Sequence, residues 1–172
     1  MVLFLEIFLD LKLTNVFIYH KGNIKKIENS NAIFNNGLAY DDKNKYLYAA
    51  RTIEKDIKVY KVSEKGDEAK LDRTINIPYY IDNVYYQNEK LNLGISVYMI
   101  ELFKVIEELN KGNDGKNIVQ YSGFLEIDLK TDKIVDTLLQ NNFKGVSSGI
   151  KVGNKIIMSS NAFKGLYICE KK

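Results

Sequence analysis

The sequence predicts an all-β fold, on three observations. Apolar and polar residues alternate along most of the 172 residues, with the period of two that is typical of half-buried strands. The alternating runs are short, and clusters of Gly, Asn, Asp and Lys separate them as turns. The same strand–turn–strand pattern also returns several times along the chain, which indicates a repeated unit rather than a single irregular sheet.

The predicted strands are justified one by one by alternation and by the turns between them. Lys21-Gly22-Asn23 is a hairpin signal, and residues 64–68 and 130–133 are polar turns of the same kind. In chain order the predicted strands are 16–20, 24–28, 37–40, 46–50, 57–62, 70–77, 84–86, 91–94, 124–129, 134–139, 149–152, 155–158 and 165–169.

One segment departs from this rhythm. Apolar residues at 99, 102, 103, 106 and 109 have the spacing of an amphipathic helix. The run from Asn110 to Gly115 contains Gly and turn-forming residues that end it. We therefore expect one helical insertion near 98–110, and a helix that covers a sheet edge or mouth is favoured over one that binds in a partner's groove.

Three segments of the chain align with one another, namely 36–50, 82–95 and 147–160, each a strand, a polar turn and a second strand. A four-stranded unit that recurs every ~40–50 residues is typical of a β-propeller blade, whereas a β-sandwich is the alternative for short, regularly spaced strands. The internal similarity favours the propeller. At ~45 residues per blade the chain makes about three to four blades of a single domain over 1–172, fewer than most closed propellers have. A fragment, a truncated copy or half of an assembly is the expectation.

Composition excludes several classes of protein. Apolar residues make up 45% and charged residues 27%, as in ordinary globular domains rather than disordered ones. The net charge of +3 comes from Lys scattered among nearly as many acids, so no nucleic-acid partner is expected. Glu6 and Asp10 interrupt the apolar N-terminus, which is therefore a poor signal peptide, and no run approaches the length of a membrane span.

Cysteine and histidine occur once each, as Cys169 and His20. A disulfide within the chain is therefore impossible, and no cluster of Cys and His exists to bind zinc. His20 lies in a predicted strand, and the structural interpretation, a histidine that faces solvent or a neighbour, is favoured over a catalytic one.

Several motifs in order resemble the paraoxonase/arylesterase family. The Asn36-Gly37 pair begins a stretch, followed by residues 45–50 and 56–60, that is similar to the opening of a blade in that family. Ile81-Asp-Asn-Val84 resembles the family's start of the next blade. Further similarity lies at 125–129, 147–158 and 165–169, so the resemblance covers nearly the whole chain but only the C-terminal half of the family.

The resemblance implies a six-bladed β-propeller that holds calcium in its central tunnel and hydrolyses lactones and aryl esters. It implies that Asn36, Asp82 and Asn83 are calcium ligands, each at the start of an innermost strand. Calcium prefers oxygen ligands from carboxylates and amides, so these residue types suit it. Read alone, Asn36-Gly37 is also a common turn and Asp82-Asn83 a loop cap, and these alternatives stay open.

The resemblance also implies what this chain lacks. The family's remaining calcium ligands and its catalytic histidines lie in its N-terminal half, so no catalytic residue is assigned here. Cys169 matches a cysteine that pairs with the family's N-terminus, and without that partner we expect a free thiol. The sequence thus predicts a calcium-dependent hydrolase of aryl esters or lactones that is incomplete as this chain.

The resemblance also implies which partners and which location in the cell to expect. The ligands it implies are calcium and a small ester or lactone, and the propeller would be completed by a second chain or by a missing N-terminal half. The family pattern implies an extracellular or membrane-associated protein. The alternative is a non-catalytic propeller segment, either a degenerate copy or an interaction scaffold.

Overall fold

The protein is described from a computed structural model that covers residues 9–96, 107–108, 110–112, 121–161 and 164–170. Strands predominate among these residues, as the alternation predicts. They are β1 (Phe17–His20), β2 (Asn23–Lys26), β3 (Asn35–Asp41), β4 (Tyr46–Arg51), β5 (Asp56–Val62), β6 (Ala69–Asn76), β7 (Ile81–Gln87), β8 (Lys90–Ile95), β9 (Ser122–Asp128), β10 (Lys133–Gln140), β11 (Val146–Val152), β12 (Lys155–Ser160) and β13 (Leu166–Glu170).

Each predicted strand is present, with its ends shifted by three residues or fewer. Of the helix predicted near 98–110, only residues 107, 108 and 110 are described, and they are helical, while the rest lies outside the described residues. No helix in the described part of the chain is long and apolar enough to cross a membrane.

Over the described residues the strands form four sheets in which sequential strands are neighbours. The order is β1-β2 in the first sheet, β3-β4-β5-β6 in the second, β10-β9-β8-β7 in the third and β11-β12-β13 in the fourth. Every strand pair whose register is defined is antiparallel. Four-stranded meanders of this kind are the blades of a β-propeller, as the repeated segments predict.

Two of the three repeated segments share an irregularity at the start of their first strand. The pairing of β3 with β4 shifts register between Asn35 and Leu38, and that of β11 with β12 shifts between Val146 and Ser148. A bulge of this type leaves residues unpaired and turns their side chains away from the regular alternation. The candidate ligand Asn36 lies in the first of these two irregular stretches.

The chain divides into two compact units, an N-terminal unit over residues 1–86 and a C-terminal unit over residues 87–172. The single domain predicted over 1–172 stays a prediction. In the N-terminal unit, a core cluster of Val16, Ile27, Ala49 and Tyr60 attaches the β1-β2 hairpin to the sheet of β3–β6. Burying each of the large side chains contributes about 1.5–3 kcal/mol.

The C-terminal unit has its own core. Phe124 on β9 packs against Ile156 and Met158 on β12, with Phe143 and Val146 completing the cluster. This cluster covers one face of the β11–β13 sheet. Gly149 on β11 makes the contact possible, because a Cβ atom there would lie 2.7 Å from the ring of Phe124.

Candidate functional site

The three candidate ligands lie at the starts of two strands of the N-terminal unit. Asn36 is the second residue of β3, while Asp82 and Asn83 are the second and third residues of β7. The turn interpretation of Asn36-Gly37 is wrong, because both residues lie within β3. Asp82 and Asn83 likewise belong to a strand rather than to a loop.

Gly37 brings the two strand starts together. A Cβ atom built on Gly37 would lie 2.6 Å from the backbone nitrogen of Val84 and 2.7 Å from the Cα atom of Asn83. Real Cβ atoms do not approach backbone atoms so closely, so only glycine fits between the two strands. The approach brings the backbone that follows Asn36 against the backbone that follows Asp82.

Hydrogen bonds orient the side chain of Asn36. Its amide nitrogen Nδ2 donates to Oγ1 of Thr52 over 3.3 Å. The Thr52 hydroxyl donates in turn to the backbone carbonyl of Ile81 over 2.7 Å, and Thr52 is buried. With the nitrogen held by Thr52, the amide oxygen is the atom of Asn36 that a cation can bind.

Asp82 and Asn83 are linked in a similar way. Nδ2 of Asn83 donates to Oδ1 of Asp82 over 3.2 Å, which directs the amide nitrogen to the carboxylate. Asp82 is half-buried and Asn83 is exposed. The pair therefore offers carboxylate and amide oxygens at a surface that a small ion or substrate can reach.

Thr52 and the carbonyl of Ile81 are parts of this site that the sequence did not reveal. Thr52 follows β4, and its two hydrogen-bond partners lie 16 and 29 residues away in the sequence. A threonine after a strand gives no sign of such contacts. The Asn-Gly pair, in contrast, was visible as a motif.

Two further buried oxygens lie close in sequence to this site. Oδ1 of Asn35 and Oε2 of Glu54 are buried and make no hydrogen bond with the protein. The rest of these side chains is held, because Nδ2 of Asn35 donates to the carbonyl of Ser30 and Oε1 of Glu54 accepts from the backbone nitrogen of Ile33. Neither residue belongs to the set that the sequence predicts.

In the third repeat, the equivalent position is occupied by serines of the C-terminal unit. Ser148 is the third residue of β11, and its hydroxyl lies 2.7 Å from that of Ser159. Ser147 contacts the same hydroxyl over 3.1 Å. The backbone of Ser147 also lies against Gly94 of β8, as Asn83 lies against Gly37.

Metal-binding and redox groups are few among the described residues. No group of three or more His, Cys, Asp and Glu that could hold a metal ion is present in them. Cys169 is a half-buried free thiol, and burial raises its pKa.

Comparison with known families decides which kind of propeller this is. A family model described as arylesterase matches residues 1–108, which include all three candidate ligands. The chain belongs to the arylesterase family. The resemblance at 125–129, 147–158 and 165–169 lies beyond the matched range of this arylesterase-family chain.

This arylesterase-family chain is similar to several solved structures. A luciferin-regenerating enzyme matches with a TM-score of 0.54 and 14% identity, covering 85% of this chain and 43% of its own. Sqt1 of Saccharomyces cerevisiae matches with a TM-score of 0.48 and 9% identity over 81% of this chain and 33% of that one. The Cps50 (Swd1) beta-propeller domain of Myceliophteria thermophila matches with a TM-score of 0.37 and 10% identity over 79% of this chain and 53% of that one.

The match to the luciferin-regenerating enzyme supports the fold. The all-β, partial-propeller prediction is confirmed. The chain spans less than half the length of the luciferin-regenerating enzyme that it matches. Comparison with curated proteins finds no match.

Proposed function

We propose that Asn36, Asp82 and Asn83 form part of a calcium site in a hydrolase of aryl esters or lactones. The observation that supports the proposal is the contact of Gly37 with the backbone of Asn83, which joins the starts of the two strands that carry the three side chains. Membership of the arylesterase family supports the reaction class.

The donor set suits calcium in kind. Calcium takes six to eight oxygen ligands, from carboxylates, amide carbonyls, backbone carbonyls and water. Asn36 and Asn83 each have their amide nitrogen engaged with protein, so each can offer its oxygen to an ion. Asp82 supplies the single negative charge of the set.

The donor set falls short of calcium in number. Three side chains supply about three of the six to eight oxygens, and only one of them is charged. Calcium affinity depends on the count of charged ligands, so we expect this chain alone to bind the ion weakly, in the millimolar range of the weakest modules. A complete site requires ligands from outside the set.

The residues of this chain have a binding and orienting role in the proposed reaction. Thr52 holds Asn36 and the start of β7 in register, and Gly37 keeps the two strand starts close. The chemistry that calcium supplies when bound in such a site is polarisation of the ester carbonyl and stabilisation of the oxyanion. Proton transfer is assigned to no residue of this chain.

Calcium titration of the purified chain tests the proposal. Isothermal titration of residues 1–172 should show millimolar binding that Asp82→Asn abolishes, because the substitution removes the only charge of the set. The matched control is Asp42→Asn, the same change at a carboxylate whose side chain is 88% exposed in a turn. This control should bind calcium as the unsubstituted chain does. Calcium binding that is unaffected by Asp82→Asn would contradict the assigned ligands.

A phenyl acetate assay on the same samples tests the reaction. We expect negligible turnover from the isolated chain, since the three proposed ligands supply only about half of the oxygens that calcium needs. Micromolar calcium binding with turnover that depends on Asp82 would show that this chain holds a complete site. The expectation of an incomplete hydrolase would then be wrong. A second polypeptide that supplies further calcium ligands can be added to the assay. Calcium binding without turnover in that mixture would favour a non-catalytic propeller segment.

A further inference from the structure

A row of oxygen-bearing side chains is buried in the C-terminal unit. Glu126 on β9 lies opposite Asn92 on β8 and opposite Asp136 on β10. Opposed residues of antiparallel strands lie on the same face, with Cβ atoms roughly 4.5–5.5 Å apart. Asn92 is 1%, Glu126 4% and Asp136 8% exposed. We call these three residues the acceptor row, because each carries oxygen atoms that accept hydrogen bonds or bind cations.

Lys151 supplies a cation to the acceptor row from the next sheet. Its Nζ atom lies 2.7 Å from Oδ2 of Asp136 and 3.7 Å from Oε1 of Glu126. The hydrogen bond to Asp136 raises the pKa of Lys151, so the ammonium group is charged at neutral pH. Lys151 lies on β11 and its side chain is 30% exposed, so the ammonium group is held among buried acceptors by a side chain that borders solvent.

The position of this ammonium group leaves part of the acceptor row unused. The distance of 3.7 Å to Glu126 is too long for a hydrogen bond, and Lys90 donates to the same oxygen over 2.8 Å. Oδ1 of Asn92 is buried and accepts no hydrogen bond from the described part of the chain. A buried acceptor without a donor is costly, so the row has a capacity for a cation that the tethered ammonium group does not fill.

We infer that the acceptor row is a site for a monovalent cation of the size of ammonium, and that the Nζ atom of Lys151 occupies it in this chain. The row contains two carboxylates, and Lys90 balances one of them. A monovalent cation balances the negative charge that is left, whereas a divalent ion would exceed it. A free ammonium ion has one more N–H donor than lysine, and no side chain holds it away from Asn92.

Two substitutions of Lys151 separate an open site from a filled one. Lys151→Ala removes the ammonium group and leaves its space, so a free ammonium ion should enter. Lys151→Met removes the same charge but fills most of the space with an apolar side chain, so it is the matched control. The unsubstituted chain should not respond to the ion, because its own lysine occupies the site.

Thermal unfolding of residues 1–172 in ammonium chloride and in choline chloride tests the site. Choline is too large for the space that one lysine head group leaves, so it controls for ionic strength. With a Kd on the order of 10 mM, about 100 mM ammonium should raise the melting temperature of Lys151→Ala by about 3–5 °C over choline. The unsubstituted chain and Lys151→Met should differ by less than about 1 °C between the two salts.

A double variant tests whether Asn92 belongs to the site. Adding Asn92→Leu to Lys151→Ala keeps a side chain of similar size but removes the third acceptor, so the rise specific to ammonium should fall to less than half. A rise of full size in the double variant would overturn the acceptor row as the site. An equal rise in Lys151→Met would overturn it as well, because that variant has no space for the ion.

The remaining outcomes also decide the proposal. Equal melting temperatures of Lys151→Ala in the two salts would contradict a cation site. If Lys151→Ala is unfolded in choline chloride, ammonium chloride should restore its circular dichroism spectrum, and a variant that is unfolded in both salts would count against the site. The acceptor row shares no residue with the proposed calcium ligands, so each result is independent of calcium binding.

Discussion

At the scale of single residues, the hydroxyl of Thr52 connects the two strand starts of the proposed calcium site. It accepts a hydrogen bond from Asn36 and donates one to the buried carbonyl of Ile81. Both contacts depend on one oxygen atom, whereas the methyl group of Thr52 makes neither. Thr52 is a positioning residue, because it binds a proposed ligand rather than the ion.

Replacing Thr52 changes how the Asn36 side chain is held while Asn36 itself stays in the chain. Thr52→Val keeps the shape but removes the hydroxyl, so we expect calcium affinity to fall about fivefold to tenfold, equivalent to about 1–1.4 kcal/mol. The carbonyl of Ile81 also loses its partner, at a cost of about 1–3 kcal/mol in the free energy of unfolding. Isothermal titration and urea unfolding measure the two effects.

The control for this substitution is Thr52→Ser, which retains the hydroxyl. It should bind calcium within about twofold of the unsubstituted chain while losing a buried methyl group, worth roughly 0.8 kcal/mol. Equal calcium affinities for the Val and Ser variants would show that Thr52 contributes to folding alone.

The sequence singled out residues only where they belong to a motif. The resemblance to the arylesterase family pointed to Asn36, Asp82 and Asn83 through their Asn-Gly and Asp-Asn pairs, and their role as ligands stays a prediction. Thr52 was invisible, since its role depends on a strand that begins 29 residues later. The sequence also left open whether Asn36-Gly37 is a turn, because a close approach of two backbones leaves no local signal.

At the scale of elements, charged side chains join two sheets of the C-terminal unit. Glu126 on β9 lies opposite Asp136 on β10, and both carboxylates are almost fully buried. Lys151 on β11 reaches them from the next sheet, with its Nζ atom 2.7 Å from Asp136 and 3.7 Å from Glu126. Lys90 on β8 binds Glu126 over 2.8 Å.

This cluster also contains an unsatisfied polar atom. Asn92 lies opposite Glu126 in the pairing of β8 with β9, is 1% exposed, and its Oδ1 makes no hydrogen bond with the protein. The Asn92 oxygen and the carboxylates are all acceptors, so they cannot hydrogen-bond to one another. The lysines therefore make the favourable interactions of the cluster. Alternation predicted these strands, but it did not predict that polar side chains would fill an inward face.

Removing Lys151 should therefore destabilise the chain. Lys151→Met keeps most of the side-chain length but leaves two buried carboxylates next to each other, and breaking a buried pair costs about 3–5 kcal/mol. Since the Lys151 side chain is 30% exposed, solvent reduces this, and we expect about 1–3 kcal/mol in the free energy of unfolding. The control is Lys130→Met, whose partner Glu89 is exposed as well, so the free energy of unfolding should change little.

The dependence on pH gives an independent test of the same cluster. The hydrogen bond to Asp136 raises the pKa of Lys151 above its ordinary value of 10.5, against the opposing effect of burial. A raised lysine pKa contributes stability that is complete below pH 10.5 and is lost as the pH rises through the folded-state pKa. The difference between the unsubstituted chain and Lys151→Met should thus stay constant at neutral pH and shrink above pH 10.5. A constant difference up to pH 12 would contradict the ion pair.

At the scale of the whole molecule, the sequence predicted the architecture but not which faces of the sheets are exposed. Period-two alternation and recurring turns give strands, and a unit that recurs after 46 residues gives blades, because both signals are local. Which faces stay uncovered is not local. The alternation in β13 is the same whether Ile168 meets a neighbouring sheet or water, and only the structure shows it 64% exposed.

Calcium should stabilise the chain as a whole if the proposed site binds the folded state alone. An ion that binds only the folded form adds RT ln(1 + [L]/Kd) to the free energy of unfolding, which is about 1.4 kcal/mol at ten times Kd. With a millimolar Kd, about 10 mM calcium reaches that ratio, and for a chain of this size the melting temperature should rise by about 3–5 °C. Thermal unfolding followed by circular dichroism measures the shift.

Sodium chloride at matched ionic strength should give no comparable rise in melting temperature. Asp82→Asn should remove the rise with calcium, while Asp42→Asn should retain it. An equal rise in the Asp82→Asn variant would place the stabilising ion elsewhere on the molecule and would contradict the ligand set at β3 and β7.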